Sequence, residues 1–337
     1  MNSDARILRE LYRLGSEGVS GAALAERLGV SRAAVWARVE ELRRIGFEIE
    51  ASPHHGYRLN QSPDLLMGDD LTARLGAVGI VGRQIQVFKE TASTNEVAER
   101  LARDGVAEGA VVLAEFQSQG RGRLGRQWDS PIGKGILMSV LLRPPLRPPE
   151  VTRLTIIGAT ATVRAIERMT DLRPSIKWPN DVFMGQGKLA GVLTEMSAEP
   201  DRVRHVVLGI GLNVNQTPSD FPSALSGLGR TSLRMLIGQA LNRAAVAVAL
   251  IEELDRDYCR VISGGFDDMA GEWQRKCSTL GQQITVSSGG FRIHGRAEAI
   301  DSDGALLLRT SSGMVKRIIG GDVSLGKVNL PEAEIVS

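Results

Sequence analysis

The sequence predicts an α+β protein built from three units: an N-terminal winged helix-turn-helix, a central mixed-sheet α/β domain and a small C-terminal β-barrel. Three observations predict it. Apolar residues at helical spacing from Asp4 to Arg44 give way to a short alternating hairpin. From Val87 to Ser263, strand-like apolar runs alternate with helical periods. From Cys277 onward, short strands separate glycine turns at Gly289-Gly290, Gly304, Gly313 and Gly320-Gly321. The divisions fall at 1–62, 63–275 and 276–337.

In the first unit, Ile7, Leu8, Leu11 and Leu14 share one face of a helix over Asp4–Leu14. Ser20 can cap a second helix over Ser20–Leu28, with Leu24 and Leu28 inward. Gly29-Val30 makes a tight turn. Ser31 caps a third helix running through Arg44, with Val35, Val39, Leu42 and Ile45 on its apolar arc, and Gly46 ends it. Phe47, Ile49 and Ala51 alternate with Glu48 and Glu50 as in a strand. Pro53-His54-His55-Gly56 is a turn, and Tyr57-Arg58-Leu59 a return strand. Two helices joined by a glycine turn and followed by a hairpin make a winged helix-turn-helix. Ser31 and Arg32 stand at the start of the third helix, where this motif contacts bases. With Trp36 and Arg43 they are the candidate DNA contacts; Trp36 is equally consistent with a core residue. A winged helix can also serve as a protein-contact module. His54 and His55 read as surface residues of the wing.

In the second unit, Gln61–Asp70 is a linker of turn residues and Leu71–Gly76 is helical. Val87–Glu90 is a strand, and a helix follows through Arg103, capped by Ser93 or Thr94. Ala110–Phe116 is a strand. Ile136–Leu142 is a continuous apolar strand, either buried on both faces or paired at an interface. Pro144–Pro149 is a loop and Val151–Met169 a helix. Ser175–Lys177, Gly191–Met196 and Val203–Gly211 are strands. Gln216–Gly229 is turn-rich and predicted to be mobile, and Leu233–Ser263 forms one long helix or two.

Composition narrows the class. The 337 residues are 42% hydrophobic and 24% charged, with a net charge of +2. That balance is ordinary for a globular protein and too weak to imply nucleic-acid binding by bulk charge, so any such function must rest on local clusters. The only cysteines, Cys259 and Cys277, do not make a disulfide framework and fit a reducing compartment. The charged start of the chain lacks an apolar signal core, and no apolar run approaches the roughly 18 residues of a membrane span. These features predict a cytoplasmic protein without membrane attachment.

The chemical centre is the stretch Gln117–Pro131, QSQGRGRLGRQWDSP. Its glycines allow close wrapping of a ligand, and Arg121, Arg123 and Arg126 supply donor forks suited to phosphate or carboxylate. Gly120, Gly122 and Gly125 match the dinucleotide spacing G-x-G-x-x-G, but Gln127–Gly133 cannot open the helix that motif requires. A basic surface turn is the alternative for the loop alone. Four further stretches accompany it: TASTNE at Thr91–Glu96, KWPND at Lys177–Asp181, GKLAGVL at Gly187–Leu193 and GIGLNVN at Gly209–Asn215. Together and in this order, from about Phe88 to the end of the chain, they resemble the biotin protein ligases.

The resemblance implies a central ligase domain, an SH3-like C-terminal barrel and a two-step reaction. Biotin carboxylate attacks the α-phosphorus of ATP, giving biotinyl-adenylate and pyrophosphate; an acceptor lysine then attacks the adenylate. Biotin and ATP are the substrates and Mg²⁺ the implied cofactor. The first step joins two anions, so cations should dominate the catalysis. Lys177, at a strand end stiffened by Trp178-Pro179, is assigned to the biotin carboxylate and α-phosphate, with Arg121 and Arg123 beside it. The resemblance carries biotin contacts to Ser93, Thr94, Asn95 and Gln117, and to Gly120 and Gly122 in the loop. Gly191, Gly209 and Gly211 would let backbone approach the bicyclic ring or adenine, or would mark strand bulges. Arg126, Trp128, Asn180, Gly211 and Asn213 would serve ATP or the adenylate. Trp128 stacks on adenine, closes the loop or packs in the core, and Asn213 meets phosphate or Mg²⁺. Asp181 either orients Lys177 or accepts the acceptor lysine's proton. The four histidines show no ligand spacing, and no protein-built metal site is expected.

The implied partners are the biotin carboxyl carrier subunit of acetyl-CoA carboxylase or another biotin-dependent carboxylase, operator DNA, and a second copy in a ligand-promoted homodimer. Strand Ile136–Leu142 is expected to pair across that dimer axis. Repressor members of the family carry a basic residue just after the last barrel strand; here Gly326 precedes Lys327, a departure. A ligase without regulation and a non-catalytic sensor are the alternatives. Lys177 and the intact arginine loop argue against the sensor.

Overall fold

The computed structural model describes residues 2–221, 229–288 and 291–325. α1 (Ser3–Leu14) begins at Asn2, whose side chain accepts from the Ala5 N–H. α2 (Gly21–Leu28) is capped by Ser20 and closed by Gly29 in the left-handed conformation. α3 (Arg32–Arg44) is capped by Ser31, whose Oγ accepts from the Ala34 N–H at 3.1 Å. β1 (Glu48–Ser52) and β2 (Gly56–Gln61) pair as an antiparallel wing. Ile7, Leu8, Leu11, Leu24, Val35, Val39 and Leu42 form the core of this unit. Ile45, expected on the apolar arc, lies past the last turn of α3 and is exposed.

The expected linker is a bound strap. The Leu66 N–H donates to Glu115 at 2.7 Å, and Asp64 accepts from the Arg243 N–H at 2.9 Å. α4 (Gly68–Arg74) straddles the units: Ala73 and Met67 pack on the winged-helix core, Leu71 on the central one. Tyr12 Oη donates to buried Asp70 at 2.5 Å, fastening α1 to α4.

The central sheet has seven strands: β3 (Gln84–Phe88), β4 (Ala110–Ala114), β5 (Gly135–Leu142), β6 (Ser175–Lys177), β7 (Asp181–Met184), β8 (Gly187–Ala198) and β9 (Val203–Asn213). Their spatial order is β3-β4-β5-β9-β8-β7-β6, and only β3-β4 is parallel. α5 (Thr94–Arg103) covers one face, meeting Val112 and Val207 through Val97 and Ala98. α6 (Thr152–Met169) and α8 (Arg243–Ile262) cover the other, over Val111, Leu113, Met138 and Val140. α7 (Leu233–Ile237) is separated from α8 by Gly238 in the left-handed conformation, so the Leu233–Ser263 segment is two helices. α9 (Phe266–Lys276) completes the layer and buries Phe266, Met269 and Trp273.

β5 corrects one expectation. It is fully buried and hydrogen-bonded to β4 on one edge and β9 on the other. Neither edge is free, so it cannot pair across a dimer axis. β10 (Gln283–Ser288), β11 (Phe291–Ile300), β12 (Leu306–Arg309), β13 (Val315–Ile318) and β14 (Asp322–Leu325) form the C-terminal antiparallel unit, ordered β13-β12-β11-β10-β14. Gly304 and Gly313 carry its turns at positive φ. No helix among the described residues is long and apolar enough to cross a membrane. The turn-rich segment expected to be mobile includes 222–228, and Gly326 and Lys327 follow β14; both lie outside the described residues.

Candidate active site

A cleft of about 280 Å³ opens where β5, β8 and β9 meet the start of α5 and the arginine loop. The loop is a small hairpin. The Gly122 N–H donates to Arg126 O at 2.7 Å, and the Trp128 N–H to Gly120 O at 2.9 Å. A Cβ on Gly120 would lie 2.1 Å from Trp128 O, so only glycine permits that approach. The tip turns through Leu124 (φ 56°) and Gly125 (φ 71°).

One corner of the cleft is a hydrogen-bonding cluster. Ser93 occupies the N-cap of α5 but its side chain makes no cap bond. The Thr94 N–H and hydroxyl lie 2.7 and 2.9 Å from Gln117 Oε1. Asn95 donates through Nδ2 to Glu195 at 2.6 Å. Ser139, buried on β5, contacts both Thr94 Oγ1 and Asn95 Oδ1. Ser139 and Glu195 were not legible as site residues; a lone serine in the run ILMSVLL was the available signal for the first.

The rest of the lining is largely cationic. Lys177, Lys188, Arg121, Arg123, Arg126 and Arg230 belong to it, with Asp129, Asp181 and Asp322 between them. The Lys177 ammonium lies 5.5 Å from the Phe183 ring centroid and forms no ion pair among the described residues. Asp181 pairs with Lys188 at 2.7 Å rather than with Lys177. Lys188, which sequence reasoning left within a motif without a role, also lies 5.5 Å from the Trp128 ring. The β7-β8 pairing sets Asp181 opposite Gly191 and so brings Lys188 inward. Arg123 donates to Asn180 Oδ1 at 3.2 Å and Gly321 O at 3.4 Å, tying the loop to the KWPND turn and the C-terminal unit. Burial pulls its guanidinium pKa below the ordinary value, against the pull of Asp322 and Asp181. Arg121 is parked on Glu96, with Glu195 at 3.7 Å, and Arg126 on Asp322.

The glycines of β8 and β9 make room for side chains. A Cβ on Gly211 would lie 2.4 Å from the Trp128 ring, one on Gly191 3.2 Å from it, and one on Gly209 2.4 Å from Asn95 Oδ1. Trp128 thus rests on strand backbone inside the cleft, its Nε1 buried and unpartnered. Asn180 also holds Val192 O at 2.7 Å. Asn213 donates to Thr231 O at 3.0 Å and accepts from Gln216 at 3.1 Å, so its amide is engaged by protein. Gly120 lies in the adjoining groove on the loop's outer face. Among the described residues no three His, Cys, Asp or Glu side chains converge as metal ligands.

On the winged helix, Ser31 spends its oxygen on the α3 cap. Arg32 is exposed and Trp36 is 59% exposed, so Trp36 is not a core residue. Arg43 is engaged by Ile49 O at 2.8 Å and Glu40 at 2.5 Å.

Comparison with known proteins gives concordant findings. Residues 87–213 match the profile of the "Biotin/lipoate A/B protein ligase family", 5–58 an "HTH domain" and 279–326 the "Biotin protein ligase C terminal domain". The chain is 37% identical over 320 residues to the bifunctional ligase/repressor BirA of Bacillus subtilis, covering 95% of this chain and 98% of that one. It is 28% identical over 307 residues to the Escherichia coli protein of the same name, covering 91% and 92%. The biotin protein ligase of Aquifex aeolicus, solved with biotin and ATP, superposes with a TM-score of 0.62 at 29% identity, over 72% of this chain and 99% of that one.

Proposed function

The chain belongs to the biotin protein ligase family, and from that premise we propose that it is an ATP-dependent enzyme that activates biotin and transfers it to a carrier-protein lysine, and a biotin-responsive repressor. The observation that carries the enzymatic reading is the single cleft that sets Lys177, Lys188 and Arg123 against the polar corner of Thr94, Asn95 and Gln117. The cations suit two anions, the corner a small polar ring.

In the first step a biotin carboxylate oxygen bonds to the α-phosphorus of ATP and pyrophosphate leaves. Lys177 and Lys188 face the joining oxygens, and a fixed cation stabilises charge there without reorganising. Arg123, held by Asn180 and Gly321, keeps the loop over the product. Arg121 and Arg126 rest on Glu96 and Asp322 and are released to ligand phosphate or carboxylate on binding. In the second step the acceptor amine attacks the acyl carbon, AMP leaves with the C–O bond electrons, and the amine's proton departs. Asp181 is committed to Lys188, which favours an electrostatic role for it.

Mg²⁺ would travel with the ATP phosphates and keep several of its waters, and Asp181, beside Lys188, is a cleft carboxylate that would be available to it. Arg32 and Trp36 project as the DNA-facing pair of α3. A single winged helix makes few phosphate contacts, so we propose a ligand-promoted homodimer that reads a palindrome. Sheet extension in that dimer is left to the edge strand β3, since the outer edge of β6 is bridged by Cys277 and Ser278. The free thiols of Cys259 and Cys277 fit a cytoplasmic setting.

The test is transfer of labelled biotin to a purified carboxyl-carrier domain with Mg-ATP. Label on one specific lysine of the carrier, absent without ATP, is the expected result; none would sink the enzymatic reading. Duplex binding measured with and without biotin plus ATP tests the repressor half, and equal affinity would leave the ligase alone.

A further inference from the structure

We propose that the winged helix selects its DNA through thymine methyl groups, which Trp36 covers in the major groove. The proposal rests on the reading of this unit as DNA-binding and names the chemistry by which it would choose a sequence.

The outer face of α3 carries the argument. Val35, Val39 and Leu42 are buried and fix the side of the helix that meets the core. Ala33, Trp36 and Ala37 are all exposed. Trp36 and Ala37 lie three and four residues beyond Ala33, so the three share one stripe of the surface. Trp36, at 59%, is the most exposed large apolar side chain of the unit, and Val30, in the turn just before α3, is exposed at 39%. A tryptophan in that place serves no core.

Most hydrogen-bonding groups of the helix are engaged elsewhere. Ser31 Oγ accepts from the Ala34 N–H at 3.1 Å. Arg43 is held by Ile49 O at 2.8 Å and by Glu40 at 2.5 Å, which occupies both side chains. Arg38 lies 3.7 Å from Asp4 and from Glu41. Arg44 stands in the last turn, away from the end that this motif presents to bases. At that end the surface is three apolar side chains and the exposed Arg32.

Base edges in the major groove offer donors and acceptors, and the C5-methyl of thymine is their one apolar group. An indole flanked by two alanine methyls has a single N–H to give to those polar edges. Against a thymine methyl it removes apolar surface from water on both sides. Arg32 supplies the planar fork that suits guanine or phosphate. A protein partner would also cover an apolar stripe. Arg32 and Arg44, exposed at its two ends, suit the phosphates of a duplex instead.

The experiment uses the full chain with biotin and Mg-ATP. A duplex library with a random core is enriched on it. The enriched duplex is then remade with deoxyuridine for one thymine at a time, in both half-sites together. Deoxyuridine pairs as thymine does and lacks only the methyl group. For at least one thymine the wild type should bind about tenfold more weakly, the scale of two buried methyl groups. Trp36→Phe keeps an aromatic face without the N–H and should retain that penalty. Trp36→Ala should bind the two duplexes equally. Trp36 lies outside the core, so both variants should still transfer biotin to the carrier, which checks their fold. A wild type indifferent to every methyl overturns the proposal. So does a Trp36→Ala variant that weakens both duplexes alike and keeps their ratio, or a Trp36→Phe variant that loses it. A library from which no sequence is enriched instead sinks the reading of the unit as a DNA reader and makes the stripe a protein contact.

Discussion

Lys177 and Lys188 divide the positive charge of the cleft between an ammonium without a carboxylate partner among the described residues and one held by Asp181. If both stabilise charge as carboxylate and phosphate join, alanine at either position should lose roughly 3 kcal/mol of transition-state stabilisation, the value of one preorganised donor. Pyrophosphate release under saturating biotin and ATP measures it, and a rate within twofold of wild type would remove that lysine from the mechanism. Arg123→Gly should fail differently. Its guanidinium spans the loop, Asn180 and Gly321, so its removal unfastens the cover while both lysines remain. Adenylate should escape and label bystander proteins; an active variant that labels only the carrier would show that the loop is not the seal. Much of this was legible, because glycine and arginine at fixed spacing carry their chemistry in their side chains. Lys188, Ser139 and Glu195 were not, because strand register decides whether such residues face a cleft, and register is a property of paired strands. Asn213 shows the converse: a motif residue whose amide is already engaged by Thr231 and Gln216.

α6, α8 and α9 meet around one buried ionic cluster, in which Arg164 is shared by Glu253, Asp257 and Glu272. Glu253 has a second partner in Arg256 at 2.8 Å, whereas Asp257 depends on Arg164 and is the most buried of the three, so it is the one that yields. Burial raises the Asp257 pKa above its ordinary 3.8, the neighbouring Glu272 and Glu253 add to the rise, and Arg164 opposes it. Burial pulls the Arg164 pKa down, but Asp257, Glu272 and Glu253 together outweigh it and the net shift is upward. A carboxyl whose folded-state pKa is raised contributes stability below its unfolded pKa and loses it as pH rises through the folded value. Asp257→Asn removes that loss. The melting temperature of the variant should therefore gain on the wild type as pH climbs from about 3.8 toward neutrality; a constant offset would refute the assignment. The helices were legible because their apolar periods are long. β7 and α9 were missed for different reasons. β7 has four residues and follows a turn, too short for an alternating pattern. α9 spreads Phe266, Met269, Ala270 and Trp273 among charges, and its N-cap position, Gly265, makes no side-chain cap bond.

The three-unit division was readable from composition and periodicity, but the fastenings between units were not. They join residues far apart in sequence: Tyr12 to Asp70 across 58 positions, and Arg243 to Asp64 across 179. Such pairs leave no periodic trace. The largest fastening centres on Arg243, whose side chain is 1% exposed. It donates to Glu115 at 2.5 Å, to Gly135 O at 3.3 Å and to Asp64 O at 3.0 Å. Asp64 also holds Asn215 at 2.8 Å, just beyond the cleft end of β9, and Gln216 reaches Ser130 at 3.2 Å, just beyond the arginine loop. One buried cation thus joins the strap below the winged helix to both segments that flank the cleft. Arg243→Ala would leave Glu115 buried without its partner, and breaking a buried pair costs about 3–5 kcal/mol. Arg243→Met with Glu115→Gln removes the two buried charges and keeps the volume, leaving only the solvent-reached Asp64 carboxylate, so it should recover most of that loss. Urea unfolding measures both. If the hub also holds the units together, protease should cut the Gln61–Leu66 strap of the single variant at urea concentrations where the wild type resists. A single variant that unfolds like the double one, with its strap intact, would mean that apolar packing of α4 alone fastens the DNA-binding unit to the enzyme.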